Sequence, residues 1–345
     1  MDTVWPGMLL AMGGVLAQSR SIFDPASPSA QSIVNLAILT LVVAGLIFLV
    51  VEGVLLYSVW RFRQPPQVQL GKPADEPPQV YGSMPIEIAW TAAPTLVVFF
   101  LVLVTTRTLW EVDPHVPEPR PGDNTLFVTV IGHQWWWEYV YETYNGQPLG
   151  FITANELHMP VSEDDAPRPV YLTLKSADVC HSYWVPRLGG KVDLIPGRVN
   201  VMEFQTKEPG LHLGQCAEYC GAQHANMLIR VVVETPEEFD RWLANQSQPA
   251  VEDAAVTDGK TLFLANSCIN CHAVRGTAAR GTYAPDLTHL MSRQTLATGI
   301  VENTPEMLAD WVRDPQVIKP GCLMPAFGLA EREQELIVRY LHTLR

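Results

Sequence analysis

The stretch GQCAEYCGAQHANM, residues 214–227, places two thiols, an imidazole and a thioether within twelve positions. Three residues separate Cys216 from Cys220, a spacing that does not readily close a disulfide within a tight turn and leaves His224 and Met227 without purpose. Zinc accepts thiolate and imidazole but seldom thioether, whereas copper suits all three, with methionine as a weak ligand. A mononuclear blue-copper centre needs one cysteine and two histidines, so the second cysteine discriminates. Two thiolates can bridge a pair of coppers, and each copper then needs one imidazole. His224 supplies the first. His181, in SADVCHSYWVP at an expected strand end, is the best candidate for the second, with His133, His158 and His212 as rivals. The backbone carbonyl of Glu218, inside the cysteine loop, is placed for a remaining coordination position.

A second sulfur motif lies further on. Cys268, Cys271 and His272 form C-I-N-C-H, in which both thiols can add to porphyrin vinyl groups while the adjacent imidazole ligates iron. A redox dithiol would sit in a βαβ context, and zinc would require another cysteine pair. Met324 in KPGCLMPAF is the candidate distal ligand, because an extended Pro/Gly loop can lay its side chain on the open haem face. Met291 and Met307 fall in helical text, and His289 and His342 are weaker rivals. A His/Met pair raises the potential relative to bis-His.

Two apolar runs, 33–60 and 86–110, are each long enough to cross a bilayer as a helix. The connecting segment carries Arg61, Arg63 and Lys72, which assigns it to the cytoplasmic side and places the rest of the chain outside. Trp60 and Trp110 stand where interfacial aromatics are expected. Each run carries one acid, Glu52 and Glu87. The apolar stretch 4–17 fits a signal-peptide core better than a span. After the proline-rich spacer 111–123 the period changes to two: TLFVTVIGHQWWWEYVY, RPVYLTLKSADV and MLIRVVVE read as strands of a sandwich or barrel. Strand alternation puts Trp135 and Trp137 on one face and Trp136 on the other. Residues 244–256 read as a flexible linker. From 257 the pattern is helical, with Asp258 as a cap, Thr304–Pro305 opening a helix, and Leu336, Tyr340, Leu341 and Leu344 sharing one face.

Of the net charge of −13 over 345 residues, −12 falls in residues 111–256. An acidic surface of this kind disfavours nucleic acid and steers a basic partner. Apolar residues make up 48 %, a share that points to lipid contact, and six cysteines are too few and too patterned for a disulfide scaffold.

GHQWWWEY, HSYWVP, KVDLIPGR and GQCAEYCGAQHANM resemble subunit II of cytochrome c oxidase, and CINCH…KPGCLMPAFG resembles the cytochrome c domain fused to it in some bacterial oxidases. The resemblance implies a two-helix transmembrane hairpin, an all-β cupredoxin domain (a Greek-key β-sandwich) and an all-α cytochrome c domain. The expected boundaries are a signal-like N-terminus (1–23), the hairpin (24–115), the cupredoxin domain (122–240), a linker (241–256) and the cytochrome c domain (257–345). It further implies dinuclear copper A (CuA) on His181, Cys216, the Glu218 carbonyl, Cys220, His224 and Met227. The Glu218 side chain would reach a magnesium site shared with the catalytic subunit. Trp135 matches the residue through which electrons enter, and Glu87 matches an acid of a proton-uptake path. Haem c would be attached to Cys268 and Cys271 with His272 and Met324 axial.

The implied partners are catalytic subunit I, subunit III, and a cytochrome c or bc-type complex as donor. The implied location is the bacterial cytoplasmic membrane, with both termini external. The dioxygen site would lie on the partner, since neither span offers a histidine. Two alternatives remain at this point: the copper-bearing subunit of a nitric oxide reductase-like complex, and a membrane-tethered carrier with no enzyme partner. The sequence departs from the family pattern at Trp136, where tyrosine is usual, and at Cys180, where an apolar residue is common. Cys180 and Cys322 are expected to be buried free thiols rather than a disulfide.

Overall fold

A computed structural model describes residues 21–63, 79, 81–118, 120–251 and 253–345. Most of the signal-like stretch, and Lys72 of the basic loop, lie outside the described residues. The chain divides into two compact units: Ser32–Asp113, and the residues up to Gln31 together with Pro114–Arg345.

The smaller unit contains most of α1 (Pro28–Phe62) and all of α2 (Met84–Val112), both long and apolar enough to cross a membrane. At about 1.5 Å per residue each exceeds the roughly 30 Å of a hydrocarbon core. Most of their leucines and valines and all of their phenylalanines are exposed. In water such surface would be costly; in lipid it is the favourable state. Pro85 in the first turn of α2 is tolerated because its missing N–H would have no partner there. Thr91 and Thr95 return their hydroxyls to the carbonyls one turn back.

In the larger unit, the start of α1 is tied down. Ser27 Oγ caps Ala30 N at 3.0 Å and donates to Leu188 O at 2.7 Å, while Ala26 N donates to Arg187 O.

Ten strands follow in chain order: β1 (Leu126–His133), β2 (Trp136–Tyr144), β3 (Gln147–Ala154), β4 (Glu156–Pro160) and β5 (Val170–Ser176). The remainder are β6 (His181–Trp184), β7 (Val192–Leu194), β8 (Asn200–Phe204), β9 (Gly210–Cys216) and β10 (Leu228–Glu234). One sheet has the order β3-β2-β1-β5-β8 and the other β4-β10-β9-β6-β7, with β1/β5 and β10/β4 parallel and the remaining pairs antiparallel. This is the expected sandwich. Its interior holds Trp137, Tyr139, Tyr141, Phe151, Tyr183 and Phe204, all within 1 % of complete burial. Each such side chain contributes roughly 1.5–3 kcal/mol or more. The hydroxyls of these tyrosines are paired: Tyr139 with Tyr183 at 3.1 Å, and Tyr141 with the His158 backbone at 2.8 Å.

Two expectations are corrected here. The tryptophan run is not one strand. It turns at Gln134–Trp135, so alternation does not govern Trp135, and only Trp136 and Trp137 obey it within β2. The linker is also shorter than expected. Residues to Gln246 belong to α3 (Pro236–Gln246), opened by a capping box in which Thr235 Oγ1 accepts from Glu238 N and Glu238 Oε2 accepts from Thr235 N. Trp242 of α3 stacks on His158 at 4.3 Å, which keeps this segment on the sandwich.

The haem-motif domain contains α4 (Thr257–Ala265), α5 (Cys268–Cys271), α6 (Pro305–Arg313), α7 (Pro315–Ile318) and α8 (Glu331–Leu341), with a two-stranded ribbon of β11 (Thr295–Leu296) and β12 (Val301–Glu302). Asp258 lies inside the first turn of α4 rather than capping it, whereas Thr304 does cap α6, accepting from Met307 N at 3.2 Å. α4 crosses α8 at Gly259, where an added Cβ would stand 2.1 Å from Leu336 O, so glycine is required by close approach.

The two folded domains of this unit are joined by more than the linker. Buried Glu156 of β4 accepts from Gln294 N (2.8 Å), Thr295 N (2.9 Å) and Thr295 Oγ1 (2.7 Å). Gln246 Nε2 donates to Ser292 Oγ at 3.1 Å.

Candidate metal centres

The cysteine loop folds as the sequence requires for a cation. Cys216 ends β9 beside β6, whose first residue is His181, and its N–H donates to the Met227 carbonyl at 2.9 Å as the chain returns into β10. Cys216 Sγ lies 3.8 Å from Cys220 Sγ, 3.9 Å from His181 Nδ1 and 3.2 Å from the Glu218 carbonyl oxygen. Cys220 Sγ lies 3.6 Å from His224 Nδ1 and 3.8 Å from Met227 Sδ. All six sequence-selected donors are therefore gathered. The sulfur separation excludes a disulfide, whose S–S bond is about 2.05 Å. With metal–sulfur bonds of about 2.3 Å it suits two thiolates shared between metals. The residues present fit a dinuclear copper centre.

The rival histidines are engaged elsewhere: His133 with Glu138 at 2.8 Å, His158 with Glu234 at 3.2 Å, and His212 with the Glu208 carbonyl at 3.0 Å.

The electrostatics explain why the loop is poised. Cys216 is held down to about 3, first by the hydrogen bond with Cys220 and then, against burial, by His181 and nearby backbone groups. The same hydrogen bond and burial push Cys220 up. The metal-free pair thus retains one thiol proton that a bound cation would displace. His181 Nε2 donates to Asp178 Oδ1 at 2.8 Å, which fixes the tautomer and leaves Nδ1 facing Cys216. Burial pushes His181 down, but Asp178 and Cys216 outweigh it and hold it above its ordinary value. Burial likewise pushes Asp178 up, and His181 with the Val179 and Gln134 amides outweighs it to hold the carboxyl low. Sequence reasoning missed Asp178. A carboxylate three residues before a ligand histidine was the available signal.

Trp135 sits in the β1–β2 turn after a cis Gln134–Trp135 peptide. Its Nε1 donates to the Cys220 carbonyl at 2.9 Å, and Gln134 Nε2 donates to the same oxygen at 2.8 Å. Gly221, with φ +115°, makes room: a Cβ there would lie 3.0 Å from the Trp135 ring. Glu218 and Tyr219 are exposed on the loop, and the Tyr219 ring meets His224 edge-on at 5.8 Å.

The haem motif surrounds an apolar cavity instead of converging. Cys268, Cys271, His272 and Met324 all line it, and none of Met291, Met307, His289 or His342 does. His272 Nδ1 donates to Pro285 O at 2.8 Å, leaving Nε2 for iron, and burial pushes the ring below its ordinary value despite that carbonyl, keeping it neutral. Gln316 Nε2 donates to the Cys322 and Met324 carbonyls at 2.9 and 2.8 Å and holds the methionine loop. Arg293, buried on the same wall, has an Nε with no hydrogen-bond partner, an orphan that an acidic ligand group would satisfy. These residues fit a haem. Trp135 and Trp136 of the sandwich complete the cavity wall.

Cys180 and Cys322 are free but not buried as expected: Cys180 is exposed and Cys322 lines the cavity half-buried. Cys180 ends the segment that carries the chain from β5 into β6. Glu87 stands in the first turn of α2, where an acid favours the helix N-terminus.

Residues 17–107 match the family Cytochrome C oxidase subunit II, transmembrane domain, residues 126–235 match Cytochrome C oxidase subunit II, periplasmic domain, and residues 256–345 match Cytochrome c. The chain is 36 % identical to cytochrome c oxidase subunit 2 of Alkalihalophilus pseudofirmus, covering 98 % of this chain and 95 % of the relative. It is 33 % identical to cytochrome c oxidase subunit 2 of Bacillus subtilis, covering 97 % and 95 %. The crystal structure of the periplasmic domain of subunit II of cytochrome oxidase of Bradyrhizobium japonicum is 29 % identical, with a TM-score of 0.32, covering 38 % of this chain and 96 % of that one. With both sulfur sites assembled and the similarity running through the hairpin, the sandwich and the helical domain alike, this chain belongs to the cytochrome c oxidase subunit II family, in a form that carries its own cytochrome c domain.

Proposed function

We propose that the chain takes electrons from an external donor at its cytochrome c domain and delivers them through the cysteine loop to the dioxygen-reducing subunit of a haem–copper oxidase. Membership of the subunit II family makes it the electron-receiving subunit of such an oxidase and a membrane-anchored one. Bound in the cavity and the loop, haem c and dinuclear copper supply one-electron stations.

The chain's own residues do the rest. Cys268 and Cys271 would hold the porphyrin covalently, and His272 and Met324 would ligate its iron. His181, Cys216, Cys220, His224, Met227 and the Glu218 carbonyl would hold the two coppers. Cys216 and Cys220 give up their remaining proton on loading, and Asp178 keeps His181 in the ligating tautomer.

The observation that carries this reading is Trp135. One side chain forms part of the haem cavity wall and donates to the carbonyl of a copper-ligand cysteine at 2.9 Å. A rigid π-system in contact with both sites shortens the gap between them without any motion of the domains.

The finer parts of the reading follow the family. The catalytic partner would be subunit I with subunit III alongside, and a cytochrome c or bc-type complex the donor. Magnesium would sit at the Glu218 side chain where the subunits meet, and Glu87 would belong to the proton-uptake path. The cysteine loop and the haem domain would face the periplasm of a bacterial inner membrane. The dioxygen site belongs to the partner.

The test is Cys220→Ser in the purified complex. The mixed-valence copper EPR signal is expected to vanish while the haem c absorbance stays. Retention of that signal removes Cys220 from the centre and the reading with it.

A further inference from the structure

Lys319 stands five residues before Met324 and is 2 % exposed. No carboxylate is among its hydrogen-bond partners. Its Nζ lies instead within hydrogen-bond distance of four uncharged oxygens, which share its three N–H donors: Trp135 O at 2.8 Å, Thr298 Oγ1 at 3.1 Å, and Ala297 O and Asn226 O at 3.2 Å each. Two of these belong to the copper domain and two to the haem domain. Burying an ammonium without a counter-ion is costly, and a methionine of nearly the same length would fill the space more cheaply. The convergence of four acceptors is what offsets that cost here.

The acceptors are not scattered. Trp135 O lies on the turn whose indole reaches the Cys220 carbonyl, and Asn226 directly precedes Met227. Ala297 and Thr298 hold positive φ, of 54° and 66°, and so present their oxygens to one point. Thr298 Oγ1 adds its own bond to Trp135 O at 2.9 Å. The tryptophan is thus held from both ends, by the copper loop at its ring and by the haem domain at its carbonyl. Burial pushes the Lys319 amine down to about 7, but even the neutral amine keeps two N–H donors and can bridge the two domains.

We propose that Lys319 is a positioning residue that clamps the Trp135 turn to the haem domain, fixing the electronic contact between the haem cavity and the copper loop. The proposal rests on the reading above, that the two sites exchange electrons. Lys319 also lines the haem cavity; the proposal assigns it no ligand role toward either cofactor, only control of the residue between them.

The experiment uses the full oxidase complex carrying Lys319→Met and, separately, Lys319→Gln. Haem c absorbance, the copper EPR signal and both reduction potentials are recorded first. Electrons are then injected photochemically into haem c, and the rate of their appearance at copper is followed. For Lys319→Met, unchanged spectra and potentials are expected with transfer at least about tenfold slower, and amide hydrogen exchange faster around residues 134–136 and 297–299. Lys319→Gln, which keeps an N–H donor, is expected to fall between Met and the native residue. Native-like transfer and exchange in Lys319→Met would overturn the proposal, as would altered potentials that account for the whole rate change. Should Lys319→Met fail to assemble, Thr298→Val removes one of the clamp's oxygens; transfer about threefold slower supports the clamp and native rates overturn it. Absence of the copper signal from the native complex would sink the functional reading instead, a result distinct from all of these.

Discussion

The copper site and the haem cavity both draw on a cysteine pair, histidine and methionine, yet the chain folds them in opposite ways. In the loop, neighbouring donor atoms lie 3.2–3.9 Å apart, and thiols, imidazoles and thioether already touch one another. In the helical domain, the same donor types line the walls of a void, and each is held by something other than its fellow ligands: His272 by the Pro285 carbonyl, the Met324 loop by Gln316. The contrast follows from the size of what is bound. A metal pair is smaller than a side chain, so its ligands must converge and must manage their own repulsion and protons. A porphyrin is larger than any side chain, so its ligands must be kept apart by packing. A charge-sharing site should answer to nearby carboxylates and to pH, and a packed cavity should not.

The largest difference between the sites is expected from Asp178→Asn. An amide cannot accept the His181 Nε2 proton in the same way, so copper affinity should fall by roughly 10–100-fold while haem attachment is untouched. Competition with a calibrated chelator measures it, and equal affinity would deny that Asp178 orients the ligand. Next comes pH. Cys216 is held low and Cys220 high, so the metal-free loop keeps a thiol proton through neutrality, and His181 is held above its ordinary value. Metal must displace these protons, so copper affinity should rise with pH, by up to about tenfold per unit for each proton displaced. A pH-independent affinity between about pH 6 and 8 would break the proton-sharing account. The smallest effect is on the packed side. Met324→His should lower the haem potential by on the order of 0.1 V, within the roughly 0.8 V range axial ligands span, and leave the copper signal alone. An unchanged potential would point to another distal ligand.

The donors gathered at both sites were legible in the sequence because metal chemistry constrains candidate ligands locally. C-x-x-C-H and C-x₃-C-x₃-H are spacings of one loop, and even His181 and Met324 were marked by their setting at a strand end and in a Pro/Gly stretch. The sandwich, the hairpin and the helical domain were legible through their periods. The contacts that join these parts were not. Asp178 meets Gln134 N across 44 residues, Glu156 meets Thr295 across 139, and Lys319 meets Trp135 across 184. Such pairings depend on how whole domains are placed, which no local pattern encodes. The turn at Gln134–Trp135 was hidden for a related reason. Aromatic residues favour strands, and here a contact with Cys220, 85 residues away, overrides that preference.

The central claim is that one chain holds a copper pair in its cysteine loop and a haem in its helical domain. The direct measurement is metal and haem analysis of the purified complex joined to EPR of the oxidised form. After the partner's metals are subtracted, the account predicts two coppers per covalently bound haem c and an unpaired electron shared equally by two copper nuclei. Zinc in the cysteine loop, or a single copper with an unshared electron, would contradict it.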